Sequence, residues 1–105
     1  MFGINIKDLM QQAQGLQAKV TALQEELADK IVTGTAGGGM VKVEATGTQE
    51  LVSIQIEKEL LASDDQELMQ DLIVAAVNDA LKKSRELMSE EMSKLTGGLR
   101  IPGLM

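Results

Sequence analysis

Residues 63–85 read SDDQELMQDLIVAAVNDALKKSR, and the fold turns on how this stretch is placed. Ser63 and Gln66 stand in capping-box spacing, which predicts a helix start. Asp64 and Asp65 put negative charge on the first turn, where the helix dipole favours it. Leu68, Met69, Leu72, Ile73, Ala76, Val77, Ala80 and Leu81 then recur at helical spacing. Residues 72–77, LIVAAV, are apolar without a break, so this part of the helix is expected to be buried on every side. One small sheet covers only one of those sides. A second copy of the chain is the economical cover for the rest, which makes Leu72, Ile73, Val74 and Val77 the expected dimer interface.

Composition narrows the function classes. A chain of 105 residues is one domain by length, 1–105. Its single aromatic, Phe2, implies an aliphatic core with methionines filling the gaps. Cys and His are both absent, which removes disulfides, thiolate metal sites, thiol nucleophiles and the commonest general base. No metal and no cofactor is expected. The start MFGINIKDLM lacks the pattern of a signal peptide, and no stretch approaches the ~20 apolar residues of a membrane span. A soluble, cytoplasmic protein is expected. The net charge of −6 argues against a broadly basic nucleic-acid surface but leaves local patches open.

Residues 5–30 read as a first helix capped by Asn5. Ile6, Ala13, Val20 and Leu27 alternate with Leu9, Leu16 and Leu23 in a heptad seam, too narrow for a broad sheet. Its N-terminal half is expected to pack on another helix. After Lys30 the pattern turns to strands within 31–56: Ile31–Thr35, Met40–Thr46 and Leu51–Ile56. They read as a three-stranded antiparallel meander with one apolar face. The run Gly37-Gly38-Gly39 lacks GK[ST] and precedes a strand, so it is a hairpin turn needing positive φ, not a phosphate loop. The second helix is expected over 64–95, followed by a tail, 96–105, that Pro102 keeps from continuing it. Disorder is expected of that tail, with docking of Leu99, Ile101 and Leu104 as the other reading. Helices of ~45 and nearly 40 Å must overhang strands of ~17–27 Å. The expected fold is α+β, α-β-β-β-α, with free helical halves lying antiparallel as a projecting arm.

VTGTAGGGMVKVEATG (32–47), DLIVAAVNDALKKSRE (71–86) and LTGGLRIPGLM (95–105) together resemble the YbaB/EbfC family of bacterial nucleoid-associated proteins. LMQQAQGLQAKV (9–20) is similar too, so the resemblance spans nearly the whole chain. It implies a tweezer-like homodimer that binds double-stranded DNA in the nucleoid.

Lys82, Lys83 and Arg85 are the one local cluster of three basic residues, and Lys82 and Arg85 share a helix face. Lys94 and Arg100 extend basic character outward, while Lys7 and Lys19 could add to it from the first helix. Against them stand Glu86, Glu90 and Glu91, so a solvated face with pairs such as Glu90–Lys94 is the bland alternative. Phosphate contact with little sequence preference is the mechanism these residues suit. Without aromatics to stack on bases, single strands are poor ligands. Asp64/Asp65 and Glu90/Glu91 are adjacent pairs rather than an enclosed acid–base site, so neither an enzyme nor a small-molecule substrate is expected. The rival reading is a structural adaptor whose arms grip a protein partner.

Overall fold

The computed structural model describes residues 5–95. The tail expected at 96–105, Arg100 included, lies outside them. The chain runs α1 (Ile6–Ala28), β1 (Ile31–Ala36), β2 (Val41–Thr46), β3 (Leu51–Ile56), α2 (Lys58–Ala62) and α3 (Gln66–Leu95). The strands form one antiparallel sheet in the order β1-β2-β3. Gly37, Gly38 and Gly39 make the β1–β2 hairpin with φ of 64°, 68° and 97°, which L side chains rarely adopt.

Strand register sorts the two faces. Gly34 and Ile54 both stand opposite Val43, and Ala36 and Ile56 both stand opposite Val41, so these residues share the inner face. The outer face is polar there, with Ser53 Oγ donating to Glu44 Oε1 at 2.8 Å. Val41, Val43 and Ala45 are fully buried beneath Ala76 and Ala80 of α3, joined by Leu60 from α2.

Helix α3 lies over β1 and β2 and leaves β3 aside. Gly34 makes this possible. A Cβ there would run into the backbone of Ala76 and Ala80, so helix and strand meet backbone to backbone. Further along, the buried Ser84 Oγ donates to Thr46 O at 2.7 Å, which satisfies the one buried polar side chain among the described residues. Helix α1 is tied on by the β2–β3 turn: Gly47 N–H donates to Leu27 O at 2.9 Å and to Lys30 O at 3.0 Å. A Cβ on Gly47 would sit 2.7 Å from Leu27 O.

Helix α3 also closes one edge of the sheet. Asp79 Oδ2 accepts from Thr35 N–H at 3.0 Å, and Lys83 Nζ donates to Thr33 O at 3.0 Å. The two side chains, a turn apart, are themselves paired at 3.2 Å. They occupy backbone groups that an edge strand would otherwise offer to another chain. The Thr35 amide, and then Lys83 and Lys82, hold the Asp79 carboxyl below its ordinary 3.8.

Two expectations need correction. The helix does not start at Ser63, whose Oγ instead donates to Leu60 O at 2.8 Å as the C-cap of α2. Asp65 caps α3, its Oδ1 accepting from Leu68 N–H at 3.0 Å. In the single chain the sheet covers one side of LIVAAV, as expected: Ala76 is buried, Leu72, Ile73 and Val77 pack partly on the core, and Val74 stays 59% exposed. Helix α3 does not cover the free half of α1, whose residues 5–19 are exposed throughout, Ile6 at 73%. The result is an elongated body of 73 × 25 × 17 Å.

Two measurements check this packing. Gly34→Ala should destabilise the fold by about 1–3 kcal/mol or more in urea unfolding, because neither backbone can yield. Gly15→Ala, mid-helix with nothing within 4 Å, should instead stabilise it by about 0.5–1 kcal/mol. Asp79 adds a pH signature. A depressed folded pKa contributes stability above the unfolded value and loses it as pH falls through the folded one. The deficit of Asp79→Asn relative to the unmutated protein should therefore be constant near neutrality and shrink once the pH drops below about 4.

Candidate nucleic-acid interface

The three residues of the basic cluster do not share one environment. Lys82, Lys83 and Arg85 all sit on one turn of α3 just where it leaves the sheet. At 3.6 residues per turn, Lys82 and Arg85 diverge by only about 60° around the axis, while Lys83 points well away from Arg85. Lys83 is committed to Asp79 and to the carbonyl of Thr33 on the closed edge. Lys82 and Arg85 are exposed and make no ion pair among the described residues. They form a small cationic pair with Glu86 directly beside it.

Beyond this turn α3 becomes acidic. Lys94 lies 3.5 Å from Glu91 and 3.9 Å from Glu90, so its charge is largely answered within the helix. Glu91 also receives Lys30 at 3.5 Å, a pair that joins the end of α1 to α3. Sequence reasoning singled out neither Lys30 nor Asp79. The i,i+4 relation of Asp79 to Lys83 was visible, but nothing local says that both side chains reach across to β1. Exposed pairs of this kind contribute about 0–1 kcal/mol each, so their effect is on where charge is available rather than on stability.

Lys7 and Lys19 project from the uncovered part of α1. The Lys7 backbone N–H is taken by the Asn5 cap at 3.0 Å, while its ammonium is exposed. Lys7 lies twenty residues, about 30 Å of helix, before Leu27, where α1 is packed. The fold therefore groups Lys82 with Arg85 and leaves Lys7, Lys19 and Lys94 dispersed along the molecule. Arg100 lies outside the described residues. Among these residues no group of three or more acidic side chains could hold a metal ion. No described helix is long and apolar enough to cross a membrane.

This architecture is shared with known proteins. A Helicobacter pylori protein of solved structure, described as uncharacterized, superposes with a TM-score of 0.81 at 33% identity, over 90% of this chain and 99% of its own. A nucleoid-associated protein of Pelotomaculum thermopropionicum is 52% identical over 104 residues, covering 99% of both chains. Another, from Desulfotalea psychrophila, is 48% identical over 101 residues, 96% of this chain and 95% of its own. The model of the YbaB/EbfC DNA-binding family matches residues 1–99. With a match of that extent, the chain belongs to the YbaB/EbfC DNA-binding family.

Proposed function

We propose that this protein binds duplex DNA as a homodimeric, nucleoid-associated protein of the bacterial cytoplasm, chiefly through phosphate contacts. The observation that carries the reading is the pair Lys82 and Arg85: two exposed cations on one face, neither held by an acid among the described residues. Phosphate oxygens are the ligands such groups take, and they carry no sequence information. Lys7, Lys19, Lys94 and Arg100 are outlying contributors, with Lys94 weakened by its glutamates. Lys83 is a positioning residue for the sheet edge rather than a DNA contact. With −6 net charge, attraction is local and is readily screened over the ~8–10 Å Debye length of physiological salt.

A dimer suits this chemistry because two weak cationic pairs engage one duplex together. The adaptor reading draws on a different observation, the uncovered seam of Ile6, Leu9 and Leu16 on α1. Such a seam fits a partner helix.

One binding series separates the two. Lys82→Glu with Arg85→Glu should weaken binding to unrelated duplexes by similar factors, with circular dichroism unchanged. Loss of two phosphate contacts per protomer, four per dimer, should also flatten the slope of log affinity against log salt by about 3.6. Lys83→Gln should perturb stability while leaving that slope in place. Failure of the unmutated protein to bind duplex DNA even at low salt would hand the function to the adaptor reading.

A further inference from the structure

We propose that the C-terminal segment 96–105 folds back along the bare half of α1 and covers the seam of Ile6, Leu9, Ala13 and Leu16. This rests on neither the DNA reading nor the dimer reading, and it takes from the adaptor reading the surface on which that reading draws. The segment lies outside the described residues; the surface it meets and the point from which it departs do not.

The seam is half covered already. Leu23 and Leu27 are buried, while on the same heptad stripe Leu9 is 49%, Leu16 53% and Ile6 73% exposed, with Ala13 exposed between them. Helix α3 supplies the cover at the buried end. Leu27 meets the turn at Gly47, and Ser84 bonds the adjacent Thr46. The two helices therefore leave the sheet side by side with opposite chain directions, and Lys30 reaches Glu91 between them. Along α3 the face of Ser84, Leu87, Met88, Met92 and Leu95 is buried or half-buried. Along α1 the cover fades at Val20, which is half-buried, and is gone from 19 back to 5. From Ser84 to Leu95 is about 16 Å of helix, and the same distance back from Leu27 ends at Leu16. The last described residue of α3 thus stands where the bare stretch begins.

Chain length and chemistry select the occupant. The bare stretch from Leu16 to Ile6 is about 15 Å of helix. The segment that departs from Leu95 reads TGGLRIPGLM and extends to about 33 Å, so it reaches the far end of the seam. Gly97 and Gly98 permit a reversal after a helix, and Pro102 bars a further helical run. Leu99, Ile101, Leu104 and Met105 give the segment aliphatic groups to lay on an aliphatic seam. Its one charge, Arg100, comes within reach of Asp8, the one acid of residues 5–24. Because the segment is tethered beside its target, its effective concentration is on the order of mM, which favours it over a separate partner helix.

The absence of cysteine allows a direct test. Ala13→Cys places a thiol on the seam with little change in size, and Gln11→Cys places one on the opposite side of the helix. Each is exposed to a polar thiol reagent in the full chain, with Leu99 and Ile101 either unchanged or replaced by Leu99→Ser and Ile101→Ser. Fold is checked by circular dichroism. The thiol at position 13 should react about tenfold more slowly with the unchanged tail than with the serine tail, and that at position 11 equally with both, at every protein concentration. A nitroxide on Leu104→Cys gives a second reading, in labelled chain diluted into an excess of unmutated protein so that contacts within one chain are seen. It should broaden the amide signals of 6–16 more than those of 66–76, and the two serine substitutions should remove the difference. Equal reactivity at position 13 with either tail, or equal broadening of the two stretches, would overturn the proposal. Protection of position 13 that grows with protein concentration would give the seam to another copy and overturn it as well.

Discussion

The backbone of α3 rests on the backbone of β1 at Gly34, and the remaining architecture depends on that contact. Because Gly34 lacks a Cβ and α3 presents Ala76 and Ala80 to it, the helix sinks over the β1–β2 half of the sheet. So deep a seat brings Asp79 and Lys83 within reach of the outer edge of β1, and Ser84 within reach of Thr46. The same seat sets the helix to one side. Val52 and Ile54 of β3 are then left exposed, and α3 runs on past the sheet. Closed edge, exposed strand and projecting arm are three consequences of one missing methyl group.

Much of this was legible in the chain. The heptad seam gave the extent of α1 and its Asn5 cap, because period and cap chemistry are local properties. Alternation located all three strands, and the glycine run marked the hairpin, since positive φ has few other uses. What escaped were properties of contact. The segment KELLA (58–62) is too short to show a period, so α2 went unread and its neighbour Ser63 was taken for a helix cap. Three consecutive oxygen-bearing side chains, Ser63, Asp64 and Asp65, each fit a cap, and only the position of α2 selects Asp65. An unbroken apolar run implies burial but not by what, so Val74 remains wet in a single chain.

The candidate site was harder still. Three adjacent cations look alike in sequence, yet Lys83 faces β1 while Lys82 and Arg85 face water. The difference is an angle of helix rotation set by the Gly34 contact, which no local pattern encodes. Charge supply on this molecule is therefore sparse by construction. A small cationic pair on an acidic body suits weak, salt-sensitive contact multiplied by symmetry better than one tight site. Which cations are free to bind then depends on the same seat of α3.

The seat of α3 can be measured by hydrogen exchange on Gly34→Ala. If the approach of helix and strand at Gly34 brings Asp79 to the edge of β1, the Thr35 amide, which donates to Asp79, should exchange markedly faster in the variant than in the unmutated protein. Unchanged protection of Thr35 in a folded Gly34→Ala variant would contradict the account.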